Sequence, residues 1–200
     1  LGDVYKRQFQ ELFPHTLVQD KNLAWLGDTV LTQALSNTDA RVAQDKPVTP
    51  GFLMAAMLWR PLQQQIQNLE AEGLIGMDAI AEAIDIVLEE QVKLVAIPRR
   101  YTAIAREIWL MQPRFRRMRG KRVLRLLAER RFRAAYDFLL LRALESSELQ
   151  PVADWWTDIQ EQTPQEQERR ALAGAASGVG TRRKRRRRPR RKSGSNGDSN

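Results

Sequence analysis

Side chains that commonly carry out catalysis are scarce in this sequence of 200 residues. His15 is the only histidine and no cysteine is present. A histidine-based triad and a cluster of histidine or cysteine metal ligands are therefore both excluded. Two-metal phosphoryl transfer requires carboxylates that converge on one site, and no Asp-x-Asp motif occurs. The adjacent acids Glu89 and Glu90 lie in a helical pattern, where solvated carboxylates are the ordinary interpretation. We predict no catalytic residue and no metal ligand in this chain.

Binding chemistry, in contrast, is concentrated in two basic segments. The first, Arg99–Arg133, holds thirteen basic residues and two acidic ones, and the second, Arg182–Lys192, holds ten basic residues and no acid. Guanidinium groups bind phosphates through paired hydrogen bonds, and their planes stack on unpaired bases. A solvated helix face would normally mix charges of both signs. We therefore interpret both segments as surfaces that bind RNA.

The predicted RNA-binding residues are the arginines and lysines of these two segments. Tyr101 and Trp109 lie among the first group and have rings that could stack on bases, but we expect Trp109 to belong to the hydrophobic core. The spacing does not allow all the basic side chains to face one groove. The predicted residues are Arg99, Arg100, Arg106, Arg114, Arg116, Arg117, Arg119, Lys121, Arg122, Arg125, Arg130, Arg131 and Arg133, followed by Arg182, Arg183, Lys184, Arg185, Arg186, Arg187, Arg188, Arg190, Arg191 and Lys192.

The elements that must position these residues are predicted to be helices. Apolar residues recur every three or four positions in three long stretches, and no stretch alternates for long enough to indicate a strand. Thr49 and Pro50 begin a further helix, which Pro61 should kink or divide. We predict an all-α body of seven or eight helices over residues 9–173. The three apolar series are Leu23, Leu26, Val30, Ala34, Thr38 and Val42; Ile80, Ile84, Val87, Leu88 and Val95; and Phe132, Ala135, Tyr136, Leu139, Leu140 and Ala143.

Both ends of the chain differ in composition from this body. Residues 1–8 (LGDVYKRQ) read like a translated adapter sequence, so we expect native sequence from Phe9. Residues 174–200 combine a small-residue linker with the second basic segment, which has nothing apolar to bury, and we expect them to be disordered. The longest apolar run, Phe52–Trp59, is far shorter than the roughly 20 residues that span a bilayer. Without a secretory signal or cysteine, a cytoplasmic location is expected.

Several longer motifs, taken together, resemble a known family. They are FQELFP (Phe9–Pro14), TPGFLMAAMLWRPL (Thr49–Leu62), IPRRYT (Ile97–Thr102), REIWLMQPR (Arg106–Arg114), RGKRVLRLL (Arg119–Leu127) and FRAAYDFLLLRA (Phe132–Ala143). The pair Trp155 and Trp156 and an arginine-rich C-terminus follow in the same order. From Phe9 to Lys192 the chain resembles the C-terminal half of the bacterial poly(A) polymerases, in the class II nucleotidyltransferase superfamily.

The resemblance implies a function that this chain would share with preceding regions. Family members have an N-terminal head, where carboxylates hold Mg²⁺, and a neck that selects ATP. Those regions precede Phe9 in the family, so no catalytic residue is assigned here. The family's helical body and arginine-rich tail guide RNA. The resemblance thus implies a parent polynucleotide adenylyltransferase, which adds AMP from ATP to single-stranded RNA 3′ ends in mRNA polyadenylation and decay, and an isolated fragment that is inactive. Protein partners from RNA decay are conceivable but not identified.

Three other functions remain open at this point. A CCA-adding tRNA nucleotidyltransferase shares the family's head and neck, although the arginine-rich tail and the motif of Phe132–Ala143 favour the poly(A) enzyme. A stand-alone, non-catalytic RNA-binding module would also explain the charge distribution. Attachment to a membrane surface through the basic tail is disfavoured, because no amphipathic aromatic stretch or lipidation signal adjoins it.

Overall fold

The structure, a computed structural model, describes residues 29–176, with side chains described for 29–173. This part of the chain contains nine α-helices and no strand. The predicted all-α class is confirmed, but the predicted number of seven or eight helices was too low. The predicted lead (1–8), the start of the predicted body (9–28) and the basic tail (182–200) lie outside the described residues. The helices are α1 (Thr29–Val42), α2 (Pro50–Met57), α3 (Trp59–Ala71), α4 (Gly76–Leu94), α5 (Arg99–Phe115), α6 (Lys121–Leu127), α7 (Phe132–Glu145), α8 (Gln150–Gln160) and α9 (Pro164–Ala176), with a 3₁₀ turn at Ser147–Leu149.

Two prolines mark the starts of helices. Pro50 occupies the first turn of α2, where its missing N–H would have had no helical partner. The predicted division near Pro61 is confirmed, since Leu58 ends α2 and begins α3. Pro61 itself lies in the first turn of α3. Pro113, in contrast, does not break its helix. It lies in the last turn of α5, which continues to Phe115.

The N-terminal part of the described fold is built around one hydrophobic core, formed by α1–α5 and part of α7. Helices α2 and α5 make its closest contact, at Gly51, where an added Cβ would lie 2.7 Å from the Cβ of Ile104. Trp109 of α5 is buried in this core, and its Nε1–H donates to the carbonyl of Ala55 at 3.1 Å. Trp109 is therefore a core residue, as expected, and not a base-stacking platform.

A second core joins the end of α5 to α6, α7, α8 and α9. Trp156 of α8 is fully buried, and its ring meets that of Phe115 edge-on with centroids 5.2 Å apart. Its Nε1–H donates to the carbonyl of Phe115 at 2.8 Å. Because α5 and α7 contribute to both cores, the two halves of the described fold share two continuous helices.

The helical periodicity predicts the buried faces well, with one exception. Ile84, Val87 and Leu88 in α4 are buried as expected. Val42, which continues the apolar series of α1, is 60% exposed. No helix in the described range is long and apolar enough to cross a membrane.

Candidate nucleic-acid interface

The first basic segment forms the exposed side of α5, the turn after it, α6 and the start of α7. The opposite side of α5 is anchored in the two cores by Ile104, Ile108 and Phe115, which are buried. This helix therefore cannot rotate without exposing apolar surface, and its arginines project from a fixed backbone. The structure brings the thirteen predicted residues of 99–133 onto adjoining elements.

Four of these thirteen residues are engaged by carboxylates. Arg114 Nη2 lies 3.0 Å from Glu129 Oε1, Arg131 Nε lies 3.2 Å from Glu107 Oε2, and Arg133 Nε lies 3.0 Å from Asp137 Oδ1. The fourth, Arg106, binds both carboxylate oxygens of Asp85 on α4. Arg106 joins α5 to α4 and Arg131 joins the start of α7 to α5, whereas Arg133 pairs within α7. Part of the charge of all four arginines is already neutralised.

The Arg106 pair perturbs both of its members. Hydrogen bonding by Arg106 holds the pKa of Asp85 below its ordinary value, and Asp85 in turn raises the pKa of the guanidinium. Asp137 behaves differently, because burial raises its pKa although Arg133 acts in the opposite direction. The two contacts thus accompany opposite shifts of the carboxylate pKa.

The turn between α5 and α6, together with the first two residues of α6, carries the densest unpaired charge of the described region. We call its five exposed basic residues the basic turn: Arg116, Arg117, Arg119, Lys121 and Arg122. Across residues 29–173, no carboxylate lies within ion-pair distance of any of them. Four of them, with Met118, line an open depression of about 650 Å³. This surface can accept phosphate oxygens without first breaking an ion pair to a described carboxylate.

The conformation of the basic turn is fixed at Gly120. Its φ of +77° lies in the left-handed region that glycine adopts without strain. The Gly120 N–H donates to the carbonyl of Ala171 on α9 at 2.8 Å. On the other side, the turn follows directly from the buried Phe115. The basic turn is thus held between two fixed points.

A second group of cations lies at the start of α5. The Arg100 guanidinium lies over the ring of Tyr101 at 4.8 Å and donates to its hydroxyl at 3.0 Å. Arg99 precedes them and is exposed. Positive side chains are unfavourable at the positive end of a helix dipole, so a bound anion would relieve a local repulsion here. About 24 Å of helix separates this group from Arg116, so one phosphate cannot contact both.

Two predicted residues lie away from both groups, and one basic residue was missed. Arg125 and Arg130 are exposed and, like Arg99, have no ion-pair partner among the described carboxylates. Arg182–Lys192 lies outside the described residues. Sequence reasoning overlooked Arg142, whose guanidinium lies over the ring of Trp59 at 4.7 Å. Its position inside an apolar run, FLLLRAL, was the signal available in the sequence.

The amide of Gln112 was also missed. It is buried in α5, and its Nε2 donates to the carbonyls of Ile108 and Ala135, each at 3.0 Å. Its Oε1 accepts from Arg142 Nη1 at 3.1 Å. One side chain thus links α5 to α7 and orients Arg142.

Comparison with known sequences identifies the family. The family described as the polymerase A arginine-rich C-terminus matches residues 72–192. The poly(A) polymerase I of Salmonella typhi is 42% identical over 163 residues, covering 80% of this chain and 35% of that protein. The protein of the same name from Escherichia coli O157:H7 gives the same identity and coverage. That of Haemophilus influenzae is 36% identical over 172 residues, covering 80% of this chain and 38% of its own length.

The matched region has defined limits. The chain spans little more than a third of the length of these relatives. The family match includes α4 to α9, the basic turn and the second basic segment. Since that match covers more than half of the chain, the chain belongs to the polymerase A arginine-rich C-terminus family.

Proposed function

We propose that this chain is the RNA-binding region of a poly(A) polymerase, which adds AMP from ATP to RNA 3′ ends and releases pyrophosphate. The basic turn would hold backbone phosphates of single-stranded RNA, and Arg182–Lys192 would add further phosphate contacts. The parent reaction is proposed because the relatives are poly(A) polymerases. The role of that reaction in mRNA decay is part of the proposal.

The observation that carries the proposal is the unpaired charge of the basic turn. Five cations follow one another within seven positions, on a backbone fixed at Phe115 and Gly120. No described carboxylate neutralises them. Polyphosphate backbones are the natural ligands of such surfaces, and arginine recognises phosphate through two hydrogen bonds at once.

The adenylyl transfer chemistry is not assigned to the described residues. They contain no group of three or more histidine, cysteine, aspartate or glutamate residues that could hold a metal ion. We propose that the metal and ATP are bound in the part of the relatives that this chain does not match. Incubation of the purified chain with ATP, Mg²⁺ and oligo(A) should give no primer extension, and extension that persists through stringent purification would refute this assignment.

RNA binding is tested with two variants that each remove four positive charges, one in the basic turn and one elsewhere on the surface. In one variant Arg116, Arg117, Arg119 and Arg122 become glutamine. In the matched control Arg41, Lys46, Lys93 and Arg169, which are exposed elsewhere, become glutamine. Both variants change the net charge equally. Fluorescence anisotropy with a single-stranded oligo(A) should show weaker binding only for the first.

The salt dependence gives a second, independent readout. On a single strand the slope of log K against log salt is roughly 0.7 per neutralised phosphate. Loss of four contacts should therefore flatten the slope by up to about 3. Equal effects of the two variants would mean that only net charge matters, and the basic turn would not be a specific interface.

The contribution of the second basic segment is tested in the same assay. Replacing the ten basic residues of 182–192 by serine should lower affinity at low salt and flatten the salt slope by several units. The melting temperature should remain unchanged if the segment contributes only phosphate contacts. The competing view is that this segment docks on the acidic helices α3 and α4. That view predicts a lower melting temperature with little change in slope.

A further inference from the structure

Arg142 is a partly buried cation on α7, enclosed by three helices. Its guanidinium stacks on Trp59 of α3 at 4.7 Å and donates to Gln112 Oε1 of α5 at 3.1 Å. Burial lowers the pKa of Arg142 to about 10, so the group remains protonated at neutral pH. The stacking and the hydrogen bond orient the guanidinium but bring no negative charge to it.

The charge of Arg142 lacks a direct counterion in the described region. No carboxylate of residues 29–173 lies within ion-pair distance of it. Glu145, one turn further along α7, interacts favourably with it, but its Oε1 already accepts from Arg60 Nη2 at 3.0 Å and from the Val30 N–H at 3.4 Å. Buried cations are ordinarily paired, so this arrangement leaves an anion to be supplied.

A second cation lies close to Arg142. Arg116, the first residue of the basic turn, lies one helical turn beyond Gln112 at the end of α5. Because Gln112 Oε1 accepts from Arg142 Nη1 at 3.1 Å, the two arginines lie on the same side of α5. The charge of Arg116 also lowers the pKa of Arg142. Arg116 is exposed, lacks a described carboxylate partner and lines the open depression of the basic turn. Two like charges repel each other unless an anion lies between them. A phosphate could be shared by the exposed guanidinium and the accessible part of the half-buried one.

We propose that Arg142 and Arg116 form a phosphate-binding pair, in which Trp59 and Gln112 hold the Arg142 guanidinium ready for one backbone phosphate of RNA. This inference rests on the proposed RNA-binding function and extends it to a residue outside the basic segment. The pair would mark the point where RNA leaves the exposed turn and contacts α7. Because the guanidinium is already fixed, binding orders few additional side-chain bonds.

The test uses the full chain and single-stranded oligo(A). Arg142→Gln should weaken binding roughly tenfold at low salt, as expected for a lost charged hydrogen-bond pair. It should flatten the salt slope by about 0.7. Since both arginines hold the same phosphate, Arg142→Gln should cost much less in an Arg116→Gln background. The matched control is Arg170→Gln, which also removes an arginine stacked on a tryptophan, here Trp155 at 5.2 Å. It should leave the slope unchanged.

A structural role for Arg142 predicts a different result. In that case Arg142→Gln lowers the melting temperature but leaves the RNA affinity and the salt slope unchanged. Arg116→Gln then weakens binding equally with and without Arg142→Gln. These results would overturn the proposal. If the glutamine variant does not fold, Arg142→Lys keeps the charge but loses the planar fork. It should then weaken binding with the slope retained, and undiminished affinity would refute the pair. If neither the unmodified chain nor its basic-turn variant binds oligo(A) in the anisotropy assay, the proposed RNA-binding function itself is refuted.

Discussion

Gly51→Ala is expected to destabilise the protein, although alanine is normally the better helix former. Gly51 lies at the crossing of α2 and α5, where an added Cβ would meet the Ile104 Cβ at 2.7 Å, its Cγ2 at 2.8 Å and the Tyr101 carbonyl oxygen at 3.0 Å. Carbon atoms pack at about 3.5–4.0 Å. These contacting atoms belong to or lie beside the α5 backbone, so α5 must move away by about 0.7 Å or more.

The expected free-energy change combines two opposing terms. Replacing glycine by alanine within a helix favours folding by about 1 kcal/mol. Inserting a methyl group into a filled crossing costs about 1–3 kcal/mol, with the upper end appropriate where the neighbour is rigid. We therefore expect a net loss of about 1–2 kcal/mol. For a chain of this size that corresponds to a fall in melting temperature of about 2–8 °C.

Thermal unfolding followed by circular dichroism measures this loss. Ile104→Ala removes the Cγ2 atom from the crossing, so Gly51→Ala should be less harmful in that background. Leu126→Ala, which empties a buried position in the second core, should instead be additive with Gly51→Ala because the two sites share no neighbours. A Gly51→Ala protein at least as stable as the unmodified chain would refute the close approach of α2 and α5.

Three further predictions concern individual contacts. Trp156→Phe keeps most of the buried ring but leaves a buried carbonyl at the end of α5 without its donor, and should lower the unfolding free energy by about 1–3 kcal/mol in a denaturant titration. Glu166 accepts hydrogen bonds from the Thr163 N–H and hydroxyl at the start of α9, which lower the pKa of Glu166. Ionised Glu166 therefore stabilises the fold fully at pH values above the ordinary glutamate pKa, and this stabilisation is lost as the pH falls through the lowered pKa of the folded chain. The difference in melting temperature between the unmodified chain and Glu166→Gln should accordingly disappear in acid. Asp85→Asn frees Arg106 from a largely exposed pair, so it should change stability by less than about 1 kcal/mol and should strengthen RNA binding at low salt in the anisotropy assay.

Local sequence patterns were sufficient to predict the helices but not the burial of every residue in them. The series in α4 and α7 repeats at the helical period, and the residues it marks are largely buried. In α1 the same pattern overestimates the core. That helix packs through Val30, Leu31 and Ala34, all near its start, and Val42 at its end is exposed. Periodicity reports which residues share a face, whereas burial depends on how far the neighbouring helix extends.

The candidate site shows a related limit. Sequence composition identified the basic segment but could not separate its paired from its unpaired cations. Arg131 pairs with Glu107, 24 residues away in sequence, and Arg106 pairs with Asp85, 21 residues away. Such partners are set by the packing of α4, α5 and the start of α7, not by spacing along one helix. Arg142 was missed for the opposite reason, since a lone cation in an apolar run resembles a core position.

The two cores explain why the basic turn can serve as a rigid interface. Its first residue follows Phe115, whose ring and carbonyl both contact Trp156 in the second core. Further along, Gly120 is bonded to the carbonyl of Ala171 on α9. Helix α5 continues from the turn into the first core, where Trp109 bonds to Ala55 of α2. The crossing of α2 and α5 at Ile104 lies about 18 Å of helix before Arg116, whereas Trp156 bonds to the residue directly before Arg116. For this reason Trp156→Phe, which removes no charge, should weaken oligo(A) binding more than Gly51→Ala does at equal loss of stability, and equal weakening would show that the turn does not depend on its contact with Trp156.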